Sequence, residues 1–595
     1  MPVLPFLVFA VLLSGGLSAK GEAYAEKLLA AIHAPTPVAI PPENAVRSLC
    51  VTADGEIRHY GQTCFADDKP SGVYIASRNG IDWTTHLTAP GDAGTLFRSP
   101  YSGEWVGFKG VADIVLVRSK KGPGGGDFVE TRLPWRKLEL RQIIALSGRQ
   151  RLLAAFSNVR CENGECYHAA VAHSDDDGRT WKLVHVDPVP GVERQFAADK
   201  RPHWFNDGCE PSITELKDGS VLMAVRTSGP LAAFYRSTDG GETWGKPWTD
   251  PAFHQANTMP LLFRLRDGRL VFFWNNTAML PTLGTANYPE MDPSTQKGVW
   301  ESFFTNRDAL HAAISEDDGK TWIGFREIAL NPIRNDHDFR ELGYVNALGF
   351  KDRKEGDKSV HQTQALELPN GKVLIAYGQN PSARRLAVFD PSWLYEKSRT
   401  EDFYGGLVNV STHLYVKSMA GGSRGWSGHC AFNRLPGCAI ERESSDDPKI
   451  RRQSLHLCRI PDERLVSDRQ GVVWNFPATR KGHVEIDCRV NGAGFRLSLL
   501  DHWCNPCDWT VADQSFVSVP VDVPSAGKGV WTTVSVSWDL ETGSAVLCDG
   551  TTCRKLDLRT SGLSRFGASY LHLQTLAEGR DPDGAWFRAF RMAAD

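Results

Sequence analysis

Two residue patterns in this chain could do chemistry of their own. The first is an Asp-rich octapeptide, SDDDGRTW at Ser174–Trp181, STDGGETW at Ser237–Trp244 and SEDDGKTW at Ser315–Trp322, with a reduced copy, SRNGIDW, at Ser77–Trp83. Carboxylates this dense could hold Ca²⁺, but the motif lacks the ligand count and the distant bidentate Glu of a calcium loop. Its composition suits a hairpin turn instead. Ser and Asp oxygens accept from turn amides, Gly takes positive φ, and Thr and Trp lead the returning strand. The second pattern is cysteine. Thirteen are present, many as close pairs: Cys161/Cys166, Cys430/Cys438, Cys504/Cys507 and Cys548/Cys553. Cys504 and Cys507 could be half of a zinc ribbon, but Cys548 and Cys553 are unevenly spaced as its second half. Disulfides in several of these pairs are the expectation.

The elements that carry these motifs are strands. Each octapeptide follows an alternating apolar stretch such as LAAFYRS or LHAAIS. Between them lie KDGSVLMAVR (217–226), RDGRLVFFW (266–274) and PNGKVLIAYG (369–378), each an Asp/Asn-Gly turn followed by a strand. Repeated four-stranded sheets with this punctuation predict a β-propeller, with loop insertions that shape a site. The pattern breaks near residue 400. Beyond it come HVEIDCRV, FRLSLL, WTTVSVSW, GSAVLCD, YLHLQTL and AWFRAFRM, with no Asp-rich octapeptide. These predict a C-terminal β-sandwich, similar to laminin-G/concanavalin-like jelly rolls, that either binds glycans or braces the propeller.

Length and charge narrow the class. At about 150 residues per domain, 595 residues would give near four domains, but large β architectures run as single units. A net charge of −3 without a Lys/Arg block argues against nucleic acid or an anionic membrane surface as partner. Residues 3–13 are apolar and are followed by Gly15, Gly16, Ser18 and Ala19. This predicts a signal peptide over 1–19, cut near Ser18 or Ala19. The run is shorter than the ~20 residues that span a bilayer. A secreted, periplasmic or cell-surface protein with no membrane span is expected.

Three longer segments carry a resemblance. AVRSLCVTADGEI (45–57), CEPSITELKDGSVLMAVRTSGPLAAFYRSTDGGETW (209–244) and TNRDALHAAISEDDGKTW (305–322) follow in order the landmarks of the exo-α-sialidase (neuraminidase) superfamily with Asp-box repeats. The resemblance covers roughly residues 40–400. It implies an all-β fold, with a six-bladed sialidase-like propeller over 22–405 and the sandwich over 411–595. It also implies that Arg47, Arg226 and Arg307 hold a substrate carboxylate and that Glu210 orients the site. The chemistry is apt, since guanidinium forks bind carboxylates bidentately and stay charged.

Where the superfamily has a Tyr nucleophile, SVHQTQALELPNG (359–371) places Gln362, with His361 beside it. That variant most resembles glycoside hydrolase family 181 sialidases of mucin-associated bacteria, which implies water activated by a Gln/His pair. Adjacent strand residues point to opposite faces, so the His could be another, with His254 in FHQANTMP and His337 in RNDHDFRELGY the alternatives. Gln255 and Tyr344 join them as substrate-binding candidates, and Asp67 or Asp68 would be the acid. The implied activity is hydrolysis of terminal sialic acid from glycoconjugates such as mucin O-glycans, with no cofactor and no metal. A lyase or glycosidase acting on a uronate glycan and a noncatalytic glycan-binding propeller are the competing readings.

Overall fold

The computed structural model describes residues 19–42, 49–61, 72–88, 96–159, 166–190, 203–227, 229–277, 300–301, 307–331, 359–378, 383–412, 414–415, 434–435, 438–442, 453–461, 469–522 and 524–595. The expected signal peptide therefore lies outside the described residues up to residue 18. Arg47, Asp67, Asp68, His337 and Tyr344 also lie outside them. The described chain begins with a helix, Ala19–Ala31, and is otherwise built almost wholly of strands. Among the described residues no helix is long and apolar enough to cross a membrane.

Up to residue 389 the strands, apart from the short Trp300–Glu301 that pairs in parallel with His203–Glu215, fall in chain order into four-stranded antiparallel groups. The first is Leu49–Val51, Ile57–Tyr60, Val73–Ser77 and Thr84–Leu87; the second is Phe97–Arg98, Trp105–Lys109, Asp113–Ser119 and Val129–Arg136. The third comprises Leu138–Leu146, Arg151–Val159, Cys166–Ser174 and Lys182–His185, and the fourth His203–Glu215, Val221–Thr227, Leu231–Ser237 and Trp248–His254. A short parallel pairing, Cys166 with Phe205 and Tyr167 with Asn206, joins these two. The fifth is Leu261–Arg264, Leu270–Trp274, Ala309–Ser315 and Ile323–Leu330. The sixth takes Gln364–Glu367, Val373–Tyr377 and Arg385–Phe389, and its outer strand, Thr36–Ala39, comes from the start of the described chain.

Strand alternation explains how these sheets pack. A strand buried on both faces reads as a continuous apolar run, and its odd and even residues serve different neighbours. In Leu270–Trp274, Leu270, Phe272 and Trp274 pack with Leu222, Ala224 and Phe234 of the fourth sheet. Val271 and Phe273 face the opposite way, onto Val373, Ile375 and Phe389 of the sixth. In the same way Val373 and Ile375 face the fifth sheet, while Leu374 and Ala376 meet Ile57 and Ile75 of the first. The sixth sheet thus packs back on the first, consistent with a propeller.

The Asp-rich octapeptides form the turns their composition predicts. In the Ser174 copy, Ser174 Oγ accepts from Gly178 N at 2.7 Å and Asp176 Oδ1 accepts from Thr180 N at 2.8 Å. Trp181 Nε1 donates to Gly178 O at 3.0 Å. The Ser315 copy repeats this through Gly319 N, Thr321 N and Trp322 Nε1. The reduced copy keeps Trp83 Nε1 on Gly80 O at 3.1 Å.

After Ser398–Glu401 the chain forms two large antiparallel sheets, besides a two-stranded pairing of Leu414–Tyr415 with Arg434–Leu435. One orders Ala439–Arg442, Gln453–Arg459, Asp581–Ala594, Lys481–Val490, Thr532–Asp539, Ser544–Asp549 and Thr552–Asp557, and Ser398–Glu401 pairs with its Asp581–Ala594 strand. The other orders Val410–Ser411, Gly471–Thr479, Ala568–Thr575, Phe495–Leu500 and Val517–Val521. Both supply one core, with Val484, Ile486, Val536 and Phe587 from the first and Trp474, Phe476, Leu497 and Leu571 from the second. Cys548–Cys553 is a disulfide between neighbouring strands. Cys504 and Cys507 are buried as thiols, and Cys507 Sγ lies 3.2 Å from Asn505 Oδ1.

The two regions meet through the fifth sheet. Asn475 donates to Phe325 O at 3.0 Å and accepts from Glu327 N at 3.1 Å, and Tyr570 donates to Glu327 Oε1 at 2.7 Å. Trp503 N donates to Asn276 O at 2.9 Å, and Trp503, Leu500 and Val473 pack on Ala309 and Leu330.

Candidate active site

Irregular backbone aims the polar residues of the site. In strand Leu138–Leu146 the pairing register slips between Leu140 and Gln142, at Arg141. In strand His203–Glu215 it slips on both sides of Cys209, where Gly208 has φ 121° and Glu210 φ 47°. Such bulges bend a strand and redirect a side chain. Arg141 Nη2 meets Glu210 Oε1 at 2.9 Å, and Arg226 Nη1 meets Glu210 Oε2 at 3.0 Å. Each carboxylate oxygen therefore serves a different guanidinium. Glu210 N is held by Ser157 Oγ at 2.8 Å, and the same hydroxyl accepts from Arg141 Nε at 3.3 Å. Glu139 also accepts from Arg141 Nη2, at 2.7 Å.

Asn257 joins this pair to a third arginine. Its Oδ1 accepts from Arg226 Nε at 2.9 Å, and its backbone O accepts from Arg307 Nη2 at 3.0 Å. Asn257 has φ 51°, a left-handed conformation that Asn adopts more readily than most residues. Arg307 stands just before strand Ala309–Ser315, and its side chain is 2% exposed. Its Nη1 lies 3.1 Å from His361 Nε2. A guanidinium can only donate, so that nitrogen of His361 accepts and its proton sits on Nδ1. His361 O in turn accepts from Gly378 N at 2.7 Å.

Gln362 follows with φ 64°, and its Oε1 is buried without a hydrogen-bond partner among the described residues. Residues 361 and 362 precede the strand Gln364–Glu367. The alternating-face rule therefore does not separate their side chains. Glu210, Asn257 and Gln362 are all non-glycine residues at positive φ, a strain that persists where surrounding structure over-determines it and clusters at functional sites.

The electrostatics fix the role open to Glu210. Burial pushes its pKa up, but Arg141 and then Arg226 outweigh that and hold it at about 2. It stays ionised at neutral pH and can organise guanidiniums, not shuttle protons. The neighbouring Cys209 is pushed the other way, because burial disfavours its thiolate, which makes it a poor nucleophile.

The structure thus brings together Glu210, Arg226, Arg307 and His361, with Gln362 adjoining. It places two other candidates differently. Gln255 is buried and donates to Thr227 O at 2.7 Å and Gly229 O at 2.8 Å, bracing the segment after Arg226. His254 faces Asp501 at 3.6 Å, not His361. Sequence reasoning missed Arg141, Glu139 and Asn257. For Arg141 a signal existed: in LELRQIIAL the apolar alternation Leu138, Leu140 resumes one position late, at Ile143, just past the bulge at Arg141.

Residues 138–345 match the BNR repeat-like domain, a span that holds the three full Asp-rich octapeptides. No curated protein matches the chain. Among solved structures it is similar to a protein of unknown function from Dyadobacter fermentans, at 17% identity and TM-score 0.35, covering 60% of this chain and 96% of that one. It is also similar to Trypanosoma rangeli sialidase in complex with sialic acid, at 12% identity and TM-score 0.32, over 94% and 91%. The NanB sialidase of Streptococcus pneumoniae is a third, at 13% and 0.35, over 61% and 70%.

Proposed function

We propose that the protein is an exported exo-α-sialidase, most like glycoside hydrolase family 181, that releases terminal sialic acid from glycoconjugates such as mucin O-glycans. In this reading the four-stranded sheets over 22–405 are the blades of a six-bladed propeller. Residues 411–595 are a laminin-G/concanavalin-like sandwich, and a signal peptide over 1–19 is removed. The observation that carries it is the buried guanidinium cluster. Arg141 and Arg226 share Glu210, and Arg226 and Arg307 share Asn257. A sialic acid presents a carboxylate on its anomeric carbon, the group such a cluster binds best.

The cluster also suggests how water is activated. An arriving carboxylate competes for Arg307 and draws its guanidinium from His361 Nε2, which then accepts a proton from water. Gln362 Oε1 accepts the second hydrogen of that water and aims its oxygen at the anomeric carbon. Arg47 completes the carboxylate grip, and Asp67 or Asp68 protonates the leaving oxygen. Tyr344 would line the sugar pocket. The positive charge that develops on the ring is countered by the carboxylate held beside it.

The test is release of free sialic acid from α2,3- and α2,6-linked glycans and from mucin O-glycans, wild type against Arg226→Ala. Losing one charged donor should lower kcat/KM by about 10²–10³. Absence of release from every substrate by the wild type would overturn the reading, and an ultraviolet-absorbing unsaturated product from a polyuronate would replace it with a lyase. Direct attack by water predicts inversion at the anomeric carbon, read by a proton NMR time course.

A further inference from the structure

Away from the arginine cluster, His254, Asp501 and His502 come together where the fourth sheet meets the second region. His254 closes strand Trp248–His254, and Asp501 and His502 follow strand Phe495–Leu500. One ligand-capable atom from each lies within 4.8 Å of the others. Asp501 and His502 are each 1% exposed. His254 Nε2 stands 3.6 Å from Asp501 Oδ1, and it is buried without a hydrogen-bond partner among the described residues. The same oxygen lies 2.5 Å from His502 Nδ1, and the two imidazole rings stand 3.9 Å apart between centroids.

The outer contacts orient these groups as a metal site needs. Asp501 Oδ2 accepts from Ser564 N at 2.6 Å, which leaves Oδ1 directed at the two rings. His502 Nε2 lies 3.3 Å from Gln514 Oε1, an oxygen that can only accept. The Nε2 therefore carries a proton, and Nδ1 is the nitrogen turned inward. At 2.5 Å from a carboxylate oxygen, that inward nitrogen must share a proton with it, and a cation can take the place of that proton. Such contacts by the distal atoms of ligating groups are the usual support of a metal centre.

We propose that His254, Asp501 and His502 form a binding site for a divalent transition metal of the zinc class, which clamps the second region to the loop after His254. Tetrahedral coordination with metal–ligand bonds of about 2.0–2.2 Å gives ligand–ligand edges of roughly 3.3–3.6 Å, and the His254–Asp501 separation matches this. The Asp501–His502 contact opens by about 1 Å when its proton leaves. Two imidazoles and one carboxylate favour Zn²⁺ or Co²⁺ over Mg²⁺ and Ca²⁺. The loop so anchored carries Asn257, three residues beyond His254, which holds Arg226 and Arg307 in place.

The experiment uses the full chain, stripped with chelator and titrated with Zn²⁺ and Co²⁺, beside His254→Gln. The wild type should take up about one equivalent with proton release and a raised Tm, and His254→Gln should lose both the equivalent and the Tm shift. Co²⁺ should give visible d–d bands with no thiolate-to-metal charge transfer, which separates this site from the buried cysteines. Equal Zn²⁺ uptake and Tm shift in wild type and variant would overturn the proposal. Should His254→Gln fail to fold, the wild type decides alone: N/O-type cobalt bands support the site, and a thiolate spectrum or no binding refutes it.

Discussion

The Asp-rich turns and the arginine cluster use similar interactions and differ in where the partners come from. In the turn at Ser174, Asp176 Oδ1 and Oδ2 are met by Ser174, Arg179 N and Thr180, all within four residues. In the cluster, Arg141 and Glu210 are 69 residues apart, Arg307 and His361 54, and Arg226 and Asn257 31. Local partners make a motif that repeats and can be removed one copy at a time. Distant partners make a site that exists only once the sheets have packed.

The largest test of this contrast is Arg141→Ala. It leaves Glu210 buried with one guanidinium fewer, and breaking a buried pair costs about 3–5 kcal/mol. Denaturant unfolding should show a loss of that size; a change below about 1 kcal/mol would mean that water replaces the guanidinium. In the turn, Asp176→Ala removes an exposed set of bonds and should cost about 1–2 kcal/mol, with kcat/KM unchanged. An equal loss of activity in Asp176→Ala would erase the distinction between the two regions.

Backbone strain offers a finer comparison. Gln362→Gly relieves a left-handed residue and should raise stability by about 1 kcal/mol while activity falls, because the side chain proposed to aim the water is gone. A variant that is neither more stable nor less active would remove strain from the account of the site. A last test is in pH. Glu210 has a folded-state pKa of about 2 against an ordinary 4.5. Its contribution to stability is therefore complete above about pH 4.5 and is lost as pH falls through about 2. The difference in urea midpoint between wild type and Glu210→Gln should shrink over that window and be flat from pH 5 to 7.

The arrangement of strands was legible because it follows from local pattern. Asp/Asn-Gly turns and runs such as LVFFW, apolar on both faces, specify strands that must be covered on two sides. The end of the Asp-rich repeat marked where a second region with its own core begins. For the site, Glu210, Arg226, Arg307 and His361 could be picked out beside recognisable landmarks. Arg141 had only a slipped alternation to betray it, and Asn257 had nothing, since its role depends on a left-handed backbone and on two arginines from other strands. His254 was grouped with the wrong neighbours, because the residues that meet it lie in the second region.

The strands, the turns between them and the division near residue 400 can be read along the chain because they rest on interactions between residues a few positions apart, whereas the charged groups of the site were marked by the resemblance of the segments that carry them. Only the tertiary structure decided that Glu210 is shared between two arginines, that Asn257 bridges to a third, and that His254 belongs with Asp501 and His502. Those facts depend on which faces of distant strands are buried together, and a buried charge acquires its role from whatever partner the fold delivers to it.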